Sequence, residues 1–90
     1  MNLQDSYVYR AEVEWTKRRA GVVKAEGLPD LSVSAPPEFS GEPGRWTPEH
    51  LLLAATASCL MSSFLAVAEA FKLPVASYRS KGQAKLEKPP

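Results

Sequence analysis

Cys59 is the most reactive side chain of this sequence and the only cysteine among its 90 residues. A cysteine attacks peroxides and alkylating reagents as its thiolate, so a chemical role requires a cation that lowers the ordinary thiol pKa of ~8.5. The residues flanking Cys59 supply no such cation, and the candidates are Arg18 and Arg19 in a basic segment near the N-terminus. Without a cation, a lone cysteine is usually a small apolar residue of a buried helix.

Other chemistries have less support in the sequence. A structural zinc site takes four Cys or His ligands, whereas this chain has one of each, and no phosphate-binding glycine loop occurs. We therefore expect no metal and no cofactor. The net charge is +1, from 11 basic and 10 acidic residues, which gives no electrostatic basis for binding nucleic acid.

The N-terminal part predicts antiparallel strands. Residues 6–15 alternate between apolar and polar types, which is typical of a strand with one buried face. After the basic segment, Val22 and Val23 begin a second strand that forms a hairpin with the first, so the arginines lie at its turn. Residues 31–35 predict a third strand that Pro36 and Pro37 end, and residues 36–45 predict a loop.

A long helix follows the loop. Thr47 is a helix cap, Pro48 suits the first helical position, and Glu49 suits the positive end of the helix dipole. The helix is predicted to continue to about Phe71, where Lys72-Leu73-Pro74 ends it. Residues 75–86 predict a fourth strand.

The run from Leu51 to Phe71 is nearly long enough to span a bilayer. It contains four hydroxyl residues and Glu69, and amphipathic strands flank it, which favours a buried helix of a soluble protein over a membrane span. Such a helix is apolar on nearly all sides, and a small sheet covers only one of them. We therefore expect a single α+β domain over residues 1–90, with three or four antiparallel strands packed on one helix and a second chain completing it.

The motifs around this helix closely resemble the central signature of the OsmC/Ohr family. They are the P-E-F-x-G segment at 37–41, the T-P-E segment at 47–49, and the small-residue helix that reaches A-S-C at 57–59. The resemblance covers most of residues 6–88. It implies an intertwined homodimer with long buried helices and, in the members that reduce hydroperoxides, a reactive cysteine assisted by an arginine and a glutamate.

The resemblance assigns these roles to individual residues. Cys59 matches the peroxide-attacking cysteine, Arg18 the catalytic arginine with Arg19 as a close alternative, and Glu49 the glutamate that orients the guanidinium. His50 is not required by the family pattern. Phe39 and Trp46 are candidates for the wall of an apolar pocket that binds an organic hydroperoxide.

Helix geometry constrains how Glu49 and Cys59 cooperate. Ten residues on one straight helix correspond to ~15 Å of rise and place the two side chains on different faces. Either the helix breaks between them, or the glutamate and the cysteine approach one another across a dimer interface through the long arginine.

The family's second half, with the helix that carries a resolving cysteine, lies outside these 90 residues. An oxidised Cys59 would then require an external thiol or dithiol as reductant. The alternative function is a non-catalytic dimeric module that binds a small apolar ligand or a partner protein. Because the sequence begins without the features of a signal peptide and one cysteine excludes an internal disulfide, we expect a cytoplasmic protein without membrane association.

Overall fold

The computed structural model describes residues 6–87 and has an α+β architecture. Its elements are strands β1 (Glu12–Lys17), β2 (Ala20–Lys24) and β3 (Leu31–Ser34), a short 3₁₀ helix (Pro37–Phe39) and helix α1 (Pro48–Ala70). The chain divides into two compact units, Met1–Thr47 with the sheet and Pro48–Pro90 with the helix. The predicted combination of an antiparallel sheet and one long helix is confirmed, whereas the packing of one on the other stays a prediction.

The three strands form one antiparallel sheet in the order β1-β2-β3. In the predicted hairpin, Val13 pairs with Val23 and Trp15 with Gly21, and a bulge between Trp15 and Lys17 shifts the register just before the turn. Bulges strengthen the local twist and redirect side chains. The hairpin closes with a two-residue turn formed by Arg18 and Arg19, at the position that the sequence indicates.

Two features of the predicted first strand are wrong. The strand begins at Glu12 rather than Ser6, and all six of its residues are exposed, including Val13 and Trp15, so it has no buried face. The alternation of residue types identifies the side of a strand that is suited to burial, but only a second layer buries it. Within its own unit, no described residue provides that layer over β1.

The predicted fourth strand is also wrong, since residues 75–87 form no regular secondary structure. A strand requires a hydrogen-bonded neighbour, and the described part of this unit contains a helix and no other strand. The segment instead returns along α1: the rings of Tyr78 and Phe64 lie 5.4 Å apart. Further along, a Cβ placed on Gly82 would lie 3.5 Å from Leu53 Cδ2.

Helix α1 has the predicted bounds to within one residue. It ends in a Schellman motif, in which the Leu73 N–H donates to the Ala68 carbonyl at 2.8 Å and the Lys72 N–H donates to the Glu69 carbonyl at 3.0 Å. Lys72 has φ 57°, in the left-handed region that this motif requires. Because no Gly or Pro occurs between Glu49 and Lys72, the helix continues without interruption over 23 residues.

Almost all of helix α1 is exposed, and Ala68 is its one buried residue. By length and composition alone, the helix is apolar enough to cross a membrane. Its exposed apolar side chains include Leu52 and Met61, which lie on opposite sides of the helix at 3.6 residues per turn, and Leu60 and Val67 between them.

The P-E-F-x-G segment forms a compact turn that explains its residue types. Pro37 begins the 3₁₀ helix, Ser40 adopts φ 68°, and the Gly41 N–H donates to the Pro36 carbonyl at 3.0 Å. A Cβ on Gly41 would lie 1.6 Å from the Ala35 carbonyl oxygen, which is closer than any side chain tolerates. The glycine is therefore a steric requirement of this turn.

We expect Gly41→Ala to destabilise the protein by about 2–4 kcal/mol, because the added methyl group must displace backbone atoms of Ala35. Gly27→Ala is the matched control: Gly27 has φ 77° but open space around it, so its cost is limited to ~1 kcal/mol of backbone strain. Urea unfolding curves of both variants check the difference. Equal midpoints for the two variants would contradict the steric explanation.

Candidate functional site

Cys59 lies near the middle of α1 and its side chain is exposed. It lines a shallow depression along one helix face together with its neighbour Leu60 and residues one turn before and after it, namely Ala55, Thr56 and Ser63. Most of these side chains are small, so a reagent could approach the sulfur from the side of this face. The hydroxyl of Thr56 donates to the Leu52 carbonyl at 2.9 Å and is thus satisfied within the helix.

The returning segment 75–87 covers a different face of α1. Leu53 and Phe64, which lie next to Gly82 and Tyr78, differ by roughly 20° around the helix axis at 3.6 residues per turn. On the same basis Cys59 lies roughly 120–140° away from both. The segment therefore leaves the face with Cys59 uncovered.

Glu49 lies in the first turn of α1 and is exposed. Because α1 is continuous from Pro48 to Ala70, the alternative of a broken helix between Glu49 and Cys59 is wrong. The two side chains of one chain are separated by ~15 Å of rise. Their cooperation would therefore require a second chain, which stays a prediction. His50 follows Glu49 in the same exposed turn.

Arg18 and Arg19 form the tip of the β1–β2 hairpin, with exposed side chains. Arg18 has φ 51°, which is uncommon for a residue with a side chain. Two hydrogen bonds fix the turn: the indole Nε1–H of Trp15 donates to the Arg18 carbonyl at 2.7 Å, and the Ala35 N–H donates to the Arg19 carbonyl at 3.1 Å. Neither guanidinium forms an ion pair with any residue that the structure describes.

The predicted site residues are distributed over the two compact units of the chain. Glu49 and Cys59 belong to the unit with α1, whereas Arg18, Arg19, Phe39 and Trp46 belong to the unit with the sheet. The juxtaposition of Arg18 with the cysteine stays a prediction for that reason. The side chains of Phe39 and Trp46 are about half exposed, at 51% and 48%, so both are accessible to a ligand.

Glu42 and Ser34 were not singled out by the sequence, although both organise the loop at 36–45. The Ser34 hydroxyl is buried, accepts a hydrogen bond from the Glu42 N–H at 2.8 Å and donates to the Ala35 carbonyl at 3.0 Å. The Glu42 carboxylate pairs with Arg45 at 2.8 Å and Lys17 at 3.6 Å. The only sequence signal was the three-residue spacing of Glu42 and Arg45, which is weak outside a helix.

A further ion pair, between Lys24 and Glu14, lies toward the other end of the hairpin. Lys24 Nζ is 3.0 Å from Glu14 Oε2, and this hydrogen bond, with the charges of Glu14, Asp30 and Glu12, raises the pKa of Lys24 above its ordinary value. Both side chains are substantially exposed, so the pair contributes little to stability. We assign it no chemical role. Among residues 6–87, no group of three His, Cys, Asp or Glu side chains is placed to hold a metal ion.

No protein-family model matches the chain, and no curated protein matches it.

Proposed function

We propose that this chain is the N-terminal half of an OsmC/Ohr-type thiol peroxidase that reduces organic hydroperoxides through Cys59 in defence against oxidative stress. The observation that carries the proposal is the placement of Cys59 on an uncovered face of a continuous apolar helix, next to small side chains that leave the sulfur accessible. The order of the motifs in the sequence resembles that of the OsmC/Ohr family, and this resemblance implies peroxide reduction at Cys59.

In the proposed reaction, the Cys59 thiolate attacks the distal oxygen of the hydroperoxide. The S–O bond forms as the O–O bond breaks, and the alkoxide leaving group takes a proton to become an alcohol. The sulfur is oxidised to a sulfenic acid while the peroxide is reduced. Cys59 is the only thiol in these 90 residues, so the thiols that regenerate it come from outside them. One external thiol condenses with the sulfenic acid to form a mixed disulfide and water, and a second thiol, or the second sulfur of a dithiol, displaces Cys59 as the free thiol and leaves an external disulfide.

Arg18 supplies the cation that stabilises the thiolate and orients the peroxide. Two observations support this role. Arg18 lies in a turn that hydrogen bonds hold in place, and its guanidinium is exposed and forms no ion pair among the described residues. The Glu49 carboxylate accepts two hydrogen bonds from this guanidinium. Glu49 lies in the exposed first turn of α1, where its carboxylate is accessible to such a partner.

The proposed active unit is an intertwined homodimer in the cytoplasm. Because α1 places Glu49 and Cys59 ~15 Å apart along its axis, a composite site made by two chains accounts for their cooperation better than one chain does. Phe39 and Trp46 are proposed as apolar walls for the organic part of the substrate.

Substitution of the turn arginines tests the proposal. We expect Arg18→Ala to slow alkylation of Cys59 at neutral pH by about tenfold or more, because a cation within ~4–6 Å of a thiolate favours the charged form by at least that factor. Arg19→Ala, one residue away on the same exposed turn, is the matched control and should have a smaller effect. Alkylation rates measured with iodoacetamide across pH 5–9 give the answer.

The possible outcomes are distinct. A large effect of Arg19→Ala with none of Arg18→Ala would assign the role to Arg19 and keep the mechanism. If neither substitution changes the rate, the turn is only solvated. The alternative, a non-catalytic dimeric module that binds a small apolar ligand or a partner protein, would then replace the peroxidase.

A further inference from the structure

Glu42 lies where the hairpin turn and the loop at 36–45 meet. Its carboxylate oxygens are 2.8 Å from Arg45 Nε and 3.6 Å from Lys17 Nζ, and its side chain is only 26% exposed. Its main-chain N–H donates to the buried hydroxyl of Ser34. Both the backbone and the carboxylate of Glu42 are therefore held in place.

The contacts of Glu42 connect it to the turn that carries Arg18. Lys17 directly precedes Arg18, so the Lys17–Glu42 pair holds one flank of the turn against the loop. The other flank is held by the hydrogen bond from the Ala35 N–H to the Arg19 carbonyl. The turn is thus attached to the loop through Glu42 on one side and to Ala35, directly before the loop, on the other.

The ion pairs of Glu42 involve only some of the cations of this region. The turn and the loop carry four of them: Lys17, Arg18, Arg19 and Arg45. Glu42 pairs with Lys17 and Arg45, whereas the guanidinium groups of Arg18 and Arg19 form no ion pair within residues 6–87. A carboxylate directed at the turn itself would instead neutralise the proposed catalytic cation.

We propose that Glu42 is a positioning residue for Arg18, an inference that rests on the proposed function. It holds the Arg18 turn in the conformation that presents a free guanidinium, by pairing with the neighbouring Lys17 and with Arg45. It touches neither the substrate nor the sulfur. The role assigned to it is therefore indirect, acting through the geometry of the turn.

The expected effect is modest, because Lys17 is 67% exposed and partly exposed ion pairs are weak. We expect Glu42→Ala to lower the rate constant for oxidation of Cys59 by cumene hydroperoxide by about threefold, the scale of such pairs. Glu42→Gln should recover part of the loss, since its amide oxygen still accepts hydrogen bonds. Glu14→Ala is the matched control: it removes the ion pair with Lys24 at the other end of the hairpin and should leave the rate unchanged.

An independent readout reports on the turn itself. The Trp15 indole N–H is bonded to the Arg18 carbonyl, so its NMR signal and its hydrogen exchange respond to the turn conformation. The chain has two tryptophans, and Trp15→Phe identifies the signal. We expect Glu42→Ala to shift this signal and speed its exchange, and we expect Glu14→Ala to do neither.

The two readouts separate the failure of this inference from the failure of the proposed function. A shifted indole signal together with the slower oxidation supports the positioning role. If Arg18→Ala slows oxidation but Glu42→Ala changes neither the rate nor the indole signal, the positioning role is overturned while the peroxidase proposal stands. If Arg18→Ala leaves oxidation unchanged, both the proposed function and the catalytic meaning of Glu42 fail, whatever the indole signal shows.

Discussion

At micromolar concentration, the folded protein is expected to sediment as a dimer and not as a compact monomer. The reason is the number of large apolar side chains that α1 leaves in solvent: Leu52 is 71% exposed, Leu60 59% and Val67 54%. Soluble monomers rarely expose a contiguous apolar surface on this scale. Burial of each such side chain contributes about 1.5–3 kcal/mol, so a few of them on each chain offset the entropy cost of association.

The substitution Leu60→Glu tests the predicted dimer most directly. Leu60 lies beside Cys59 on the uncovered face, so a charge there should shift the protein toward monomers or unfolded chains. Ser80→Glu, on the exposed segment after the helix, is the matched control and should remain dimeric. A stable, compact wild-type monomer would contradict the prediction. Flotation of the wild-type chain with lipid vesicles would show instead that the chain associates with membranes.

Peroxide turnover by this chain is expected to depend completely on Cys59 and on an added thiol. Without reductant, consumption of an organic hydroperoxide should stop at one equivalent, because no second thiol among these 90 residues can condense with the sulfenic acid. Dithiothreitol should restore turnover, and Cys59→Ser should abolish it. Ser58→Ala, which removes the neighbouring hydroxyl that donates to the Ala55 carbonyl, is the control that should retain activity.

Hydroperoxide consumption assays with and without dithiothreitol check this dependence. Sustained consumption by Cys59→Ser would show that the peroxide reacts elsewhere. Sustained consumption by the wild type without any thiol would show a regeneration step that the single cysteine does not explain.

The elements that local sequence signals determine were predicted well. The start of α1 followed from Thr47-Pro48-Glu49, and its end followed from the cation and proline after Phe71. The hairpin and the third strand followed from alternation interrupted by turn and proline residues. In each case the determining interactions are within a few residues along the chain.

The features that depend on distant neighbours were predicted poorly. Residues 75–86 have a suitable composition for a strand, but a strand also needs a partner, and these residues return along α1 instead. The buried face of β1 failed for a similar reason, since burial requires a covering layer. Glu42 was missed because its role depends on contacts with Ser34 and Lys17, which are 8 and 25 positions away in the sequence.

Trapping of the sulfenic acid tests the central claim most directly. One equivalent of cumene hydroperoxide is added to the reduced protein in the presence of dimedone, and the intact mass and the modified peptide are measured. We expect one dimedone adduct per chain, located on Cys59, because the exposed thiol is oxidised and no other thiol competes for the product. An unmodified Cys59 under excess hydroperoxide would contradict the peroxidase proposal and favour the non-catalytic module.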